Sequence, residues 1–218
     1  MALGDFGMIG GMIASDVQQL RRNPLSVPIT VDQYHQMIAA GILEEGQPIE
    51  LLDGFLVRKD RSRSGDNPMT VGHEHVWVVY QLGELNERLK PHGCFIRTQQ
   101  PVTLPPDNEP EPDGAILQGA PDAYRHRLAG PADILAVIEV ADSSLHDDRT
   151  AKQRIYAAAE ISRYIIINLV DRVIEVYSVP HAAQGRYASM DALRPGQVLR
   201  LPTGDETIVD VAVEKLLP

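Results

Sequence analysis

Polar and apolar positions along this chain change period several times, and each change marks an element. In "ITVDQYHQMIAAGI", Thr30 and Gln33 have the spacing of a capping box, which predicts a short helix to Ala40 with Gly41 as its C-cap. In "IELLDGFLVRK", two apolar runs flank Asp53-Gly54, a strong hairpin signal. A polar loop, "DRSRSGDNP", follows. From Met69 to Lys90, Val79, Leu82, Leu85 and Leu89 recur at helical spacing and predict one buried helical face. Pro91 and Gly93 end it.

Beyond that point the period shortens. "CFIRTQQPVTL", "DGAILQ", "DILAVIEV", "RYIIINL" and "VIEVYSV" read as strands, the last two joined by the turn Val170-Asp171-Arg172. "APDAYRHRLAGPA" reads as a loop or short helix. Asp148 is the expected N-cap of a helix running through Glu160. "QGRY", "QVLRL" and "ETIVDV" read as short strands before a brief helix near Val213–Leu217. Residues 1–28 read as an N-terminal extension with a short helix around Ala14–Leu20. Residues 29–218 read as one domain. No internal repeat stands out. The pattern predicts an α/β domain, a mixed central β-sheet flanked by helices. The antiparallel hairpins argue against a purely parallel doubly wound sheet.

Composition narrows the function. Of 218 residues 44% are apolar but only 5% aromatic, so the core rests on Ile, Leu, Val and Ala. The net charge of -10 opposes nucleic-acid binding through bulk charge, which needs Lys and Arg at phosphates. It leaves room for a local basic groove beside an acidic metal site. Cys94 is the single cysteine, which excludes an intrachain disulfide or a cysteine zinc cluster and suits a reducing cytoplasm. Residues 1–14 make a poor signal peptide, because Asp5 interrupts them and no basic segment leads in. No run approaches the roughly 18 apolar residues of a membrane span.

Three carboxylates adjoin apolar strand sequence: Glu50 in "PIELLDG", Asp113 before "GAIL" and Glu139 at the end of "LAVIE". Carboxylates are rarely buried alone. Neighbouring ones repel unless a cation lies between them, and an oxygen set suits Mg²⁺ or Mn²⁺. The plainer alternatives are an exposed position on a half-buried strand for Glu50 and a turn residue for Asp113. Glu139 resists such an account, since it follows five apolar residues. With Asp148 as N-cap, Lys152 falls near a helix start, where the dipole disfavours a cation. A four-residue pair with Asp148 would explain it at a few tenths of a kcal/mol. Lys152 also shares a face with Tyr156, and that face leans back towards Glu139.

Other chemistry is weaker. His73 and His75 point apart on a helix, and His75 falls on the buried stripe, within reach of Glu50 or Glu139. Arg58–Arg63, Arg125–Arg127 and Arg149–Arg154 are basic clusters, more often solvated loops than phosphate contacts. Ser143-Ser144 lacks a nucleophile-elbow setting, and there is no Gly-rich phosphate loop.

"IELLDG", "EPDGAIL" and "IEVADSSLHDDRTAKQRIYAAA" followed by "YIIINL" and "IEVY" resemble the Uma family, restriction-endonuclase-type domains of the PD-(D/E)XK nuclease superfamily. The resemblance runs from about Ile29 to the C-terminus. It implies a restriction-endonuclease-like fold and an endonuclease that hydrolyses phosphodiesters, with DNA the expected substrate. It implies Asp113 and Glu139 as ligands of Mg²⁺ or Mn²⁺, Glu50 as a further acidic residue and Lys152 as the catalytic lysine. His75, Asp148 and Tyr156 stand as supporting residues. Ala141 occupies the usual superfamily lysine position, and Lys152 matches this family's shift of that lysine to the following helix. Glu160 and Ile165 stand where the family usually has glycine and tryptophan. A homodimer and cleavage leaving a 5′-phosphate follow by analogy with related folds. The alternative is a nuclease fold kept as a binding or assembly module with weak or no activity.

Overall fold

The computed structural model describes residues 19–21, 23, 25–44, 46–58 and 72–218. Most of the helix expected at 14–20, most of the basic run at 58–63 and the expected helix start at Met69 lie outside these residues. Helix α1, Val31–Ala39, carries its capping box: the Gln33 N–H donates to Thr30 Oγ1 at 3.2 Å and the Thr30 N–H to Gln33 Oε1 at 2.8 Å. Strands β1, Ile49–Leu52, and β2, Phe55–Arg58, form the expected hairpin. Its turn residues Asp53 and Gly54 are both left-handed, with φ of 54° and 79°. Two such residues give the turn a twist that matches the strands it joins.

The helix after residue 72 is shorter than its periodicity predicts. It divides into α2, His73–Glu84, and α3, Asn86–Leu89, followed by a 3₁₀ turn, Lys90–His92, that ends on Gly93. Asn86 accounts for the shortening. Its side chain donates to the Ile96 carbonyl at 3.1 Å and accepts the Ile96 N–H at 2.9 Å, binding a strand backbone beside the helix. Val78, Leu82, Leu85 and Leu89 are buried, and Val79 lies beside them half-buried.

Six strands make the central sheet in the order β3-β4-β5-β6-β7-β8. They are β3, Cys94–Arg97; β4, Gly114–Gln118; β5, Ile134–Ala141; β6, Arg163–Asn168; β7, Val173–His181; and β8, Arg186–Leu193. The β5–β6 pair is parallel and the other pairs are antiparallel. The long strand expected after Cys94 stops at Arg97, because Gln99 turns the chain at φ 52°. Val102 and Leu104 then make isolated bridges. Strands β9, Val198–Pro202, and β10, Ile208–Ala212, form a separate hairpin. Among the described residues no helix is long and apolar enough to cross a membrane.

Parallel neighbours need a crossover, and here it is helical over residues 145–158. It runs through α4, Leu145–Asp147, a π turn, Asp148–Lys152, and α5, Gln153–Ala158. Asp148 is therefore not the N-cap: the chain is already helical when it arrives. Its side chain is buried, and Ser144 Oγ donates to its Oδ2 at 2.6 Å. This crossover covers one face of the sheet, packing Ala151, Ile155 and Tyr156 against Val137, Tyr164 and Ile166. Helix α2 and the β9–β10 hairpin cover the other, where Val78, Leu82, Leu199 and Val211 meet Ile138, Ile165 and Ile174.

The crossover ends in a Schellman motif. The Ile161 N–H donates to the Tyr156 carbonyl at 3.0 Å and the Glu160 N–H to the Ala157 carbonyl at 3.1 Å. The left-handed residue in it is Glu160, at φ 58°, the position where glycine is usual in the family it resembles. A side chain there strains the backbone, while glycine adds entropy to the unfolded chain. Glu160→Gly is expected to stabilise the fold by about 0.5–1 kcal/mol, since relief of strain outweighs the entropy gained. Urea denaturation measures it, and an unchanged or lower midpoint would show the cap to be unstrained.

Candidate active site

Glu139 is the sixth residue of β5, and strand alternation puts Val137, Glu139 and Ala141 on the face under the crossover. It is 3% exposed. The π turn lowers Lys152 onto it: Lys152 Nζ lies 2.9 Å from Glu139 Oε1, which also accepts the Tyr156 hydroxyl at 2.9 Å. The same ammonium is 3.8 Å from Glu50 Oε1 and 3.8 Å from Asp148 Oδ1. Glu50 comes from β1 and is buried, so it is not the exposed residue of a half-buried strand. Its Oε1 accepts the Glu111 N–H at 2.8 Å.

Asp113 sits just before β4, beside Glu139 on the neighbouring strand. Its Oδ2 accepts the Val140 N–H at 2.9 Å and lies 3.1 Å from His75 Nε2. His75 thus faces Asp113, where Glu50 or Glu139 had been the expected partner. It reaches there because α2 packs closely on this strand end. A Cβ on Gly114 would meet Leu82 Cδ1 at 3.3 Å and Ile96 Cδ1 at 3.1 Å.

Among the described residues, three arginines of the basic clusters are spent on internal pairs. Arg127 holds Asp133, Arg149 holds Glu175 and Asp171, and Arg154 shares the buried Asp53 with Arg21. The Asp53–Arg154 pair ties the tip of the β1–β2 hairpin to α5, and so fixes Glu50 beside Lys152. Sequence reasoning read Asp53 only as turn chemistry, and missed Ser144 as well as Tyr164, whose hydroxyl donates to the Asp148 carbonyl at 3.0 Å.

Charge in the site is unbalanced. Burial, aided by Asp148, Asp113 and Glu50 and opposed by Lys152, pushes Glu139 up to about 8. Burial likewise pushes Asp148 up to about 6 against the pull of Lys152 and Ser144. Burial would raise Asp113 too, but His75, the Val140 N–H and Lys152 hold it below the usual carboxylate range. Burial opposes the charge on Lys152, yet Glu139, Glu50 and Asp148 keep its ammonium well above the ordinary value. Asp148 Oδ1 is buried without a hydrogen-bond partner.

This donor set suits a hard cation. Its groups are oxygens, they carry excess negative charge, and one buried oxygen lacks a partner. Among the described residues no three His, Cys, Asp or Glu side chains are grouped to hold an ion by themselves. An ion held here would take one or two carboxylates and complete its shell with waters and phosphate oxygens, the habit of Mg²⁺. Asp113 and Glu139, on adjacent strands, could supply the two.

A model of the Uma2 family, described as "Putative restriction endonuclease", matches residues 31–212. The chain belongs to the Uma2 family. This Uma2 chain also matches a crystal structure from Anabaena variabilis ATCC 29413, titled a "putative nuclease belonging to DUF820". The two share 16% identity and a TM-score of 0.59, over 87% of this chain and 97% of that one. The likeness shows a common nuclease fold and bears out the mixed α/β, restriction-endonuclease-like architecture. No curated protein matches the chain.

The raised carboxyls fix a pH dependence. A carboxyl with its folded value above its unfolded one binds more protons when folded, so stability is greatest at low pH and is lost as pH rises through the folded value. For Glu139 this window runs from about 4.5 to about 8. Stability of the Uma2 domain should therefore decline across this window, with a slope of up to about 1.4 kcal/mol per pH unit from this group. In Glu139→Gln that component should vanish. Urea unfolding of both proteins from pH 5 to 9 measures it, and parallel pH profiles would contradict a buried, part-protonated Glu139.

Proposed function

We propose that this protein is a divalent-metal-dependent endonuclease that hydrolyses phosphodiester bonds, with DNA as its substrate. The observation that carries the reading is Lys152: its ammonium lies 2.9 Å from buried Glu139, on the strand beside Asp113. In this reading Asp113 and Glu139 hold Mg²⁺ or Mn²⁺, and Glu50 and Asp148 add charge around them. The ion supplies Lewis-acid charge to a phosphate and acidity to water. Lys152 orients the attacking water or meets the negative charge that grows on the phosphoryl oxygens. His75 fixes Asp113, and the Tyr156 hydroxyl fixes Glu139, so each carboxylate is aimed before the ion arrives.

A second reading, a binding or assembly module on a nuclease fold, draws on a different observation. Arg127, Arg149 and Arg154 all spend their charge on internal carboxylates, which leaves those basic clusters little for a phosphate backbone. Metal separates the two readings, since an assembly module needs no Mg²⁺-dependent rise in Tm that disappears with Asp113→Asn.

Duplex and single-stranded DNA, supplied with millimolar Mg²⁺ or Mn²⁺, should be cut by the wild type. Asp113→Asn and Lys152→Met should each slow cleavage by about 10²-fold or more while remaining folded. Gel assays of all three proteins, with melting curves beside them, measure this. Cleavage that survives both substitutions would place the chemistry elsewhere.

A further inference from the structure

The tetrapeptide Val-Ile-Glu-Val occurs twice in the chain, at residues 137–140 and 173–176. The sheet brings the two copies into one row. Glu139 pairs with Ile166 across β5–β6, and Ile166 pairs with Glu175 across β6–β7. Cross-strand partners face the same way, so both glutamates point under the crossover, two strand spacings or about 9–10 Å apart. One helical segment supplies a cation to each: Lys152 to Glu139 and Arg149 to Glu175.

The second pair is closed where the first is open. Arg149 Nε lies 3.1 Å from both Glu175 oxygens, and its Nη2 lies 2.5 Å from Oε1. Asn168 Nδ2 donates to Oε1 at 2.8 Å and the Tyr177 hydroxyl to Oε2 at 2.7 Å. The same Nη2 of Arg149 reaches Asp171 Oδ2 at 3.2 Å, and Asn168 Nδ2 donates to that oxygen at 2.9 Å. Glu175, 2% exposed, thus has both oxygens held by protein donors. The backbone that carries Arg149 is, by contrast, poorly self-supported. It is a π turn between two short α segments, and none of the three has a side-chain cap. Segments of this length are marginal alone, and a π turn widens the helix at a cost that other contacts must offset.

We propose that Arg149 is a positioning residue: its clamp on Glu175 sets the π turn Asp148–Lys152 and thereby holds the Lys152 ammonium on Glu139. The inference rests on Glu139 and Lys152 forming the reacting centre only for its catalytic consequence; the clamp itself is a matter of geometry. The planar fork suits this task better than an ammonium would, since it fixes direction as well as charge.

The test follows the Lys152 ammonium directly. A buried ammonium hydrogen-bonded to a carboxylate exchanges its protons slowly, and ¹⁵N-edited NMR of the full chain at low temperature should show it. Lys152→Met assigns the signal by its loss. Arg149→Met should lose or broaden the signal while the amide spectrum stays folded, and Glu175→Gln should do the same from the other side of the pair. Glu175→Gln keeps the side-chain shape, so it decides the question should Arg149→Met fail to fold. An unmoved ammonium signal in either folded variant would overturn the proposal, as would its absence from the wild type. Where DNA is cleaved, kcat should fall about tenfold or more in both variants with KM within about twofold. A merely structural pair would lower Tm without this split. A wild type that shows the ammonium signal but cuts nothing would defeat the nuclease reading and leave the clamp supported.

Discussion

One lysine faces four buried or half-buried carboxylates, and the rest of the site is arranged around that imbalance. An opposite charge at about 4 Å is worth roughly 4 kcal/mol at the dielectric typical of such sites, whereas desolvating each ion costs several kcal/mol. Lys152 therefore cannot compensate Glu139, Glu50, Asp148 and Asp113 together. The protein shares the task. Asp113 leans on His75 and a strand N–H, and Glu50 on the Glu111 N–H. Glu139 keeps the lysine and a tyrosine hydroxyl, and Asp148 has one oxygen on Ser144 and the other on nothing. The shortfall appears as raised values on Glu139 and Asp148, where burial and the neighbouring acids outweigh the pull of Lys152.

That imbalance contrasts with its neighbours on the same segment. Arg149 and Glu175, and Arg154 and Asp53, are pairs in which a buried acid meets its cation with a further donor beside it, Asn168 and Tyr177 for Glu175 and Arg21 for Asp53. Burial would raise Glu175, but Arg149, Asn168 and Tyr177 hold it below its usual range. Groups of this kind, with the acid's oxygens held by several donors, fix geometry. They sit on either side of Lys152 in sequence and tie its segment to β7 and to the β1–β2 hairpin. The crossover is thus pinned at two places by satisfied charge, and between them lies the place where charge is left over.

Much of this was legible in the sequence. The apolar run before Glu139 put a carboxylate near the end of a core strand, Asp53-Gly54 gave the hairpin, and Thr30–Gln33 gave the cap. What escaped were features set by distant partners. Asp148 has the residue type of an N-cap, and only Ser144 and the buried site show that the helix begins earlier. Asn86 ends α2 by binding a strand that lies next to it through folding alone. His75 was seen to face inward, but its partner depended on how α2 meets β4. Glu175 carried the same signal as Glu139, an acid inside an apolar run. Its cation is not near in sequence: it arrives from 26 residues upstream, across the sheet.

The same charges bear on the order of events at the site. A phosphodiester approaching Glu139 and Asp148 would meet a carboxylate cluster, in a chain whose net charge is -10. Arg149 and Arg154 cannot soften that approach without breaking the clamps they maintain. Under the nuclease reading, Asp113 and Glu139 would hold a cation whose charge would offset that repulsion. Lys152 alone would face both the phosphate and the acids that hold it in place. With a cation held by Asp113 and Glu139, less of the lysine's charge would be needed to compensate Glu139. The surplus that makes the site costly to fold is in this sense the same surplus that would draw in its ion.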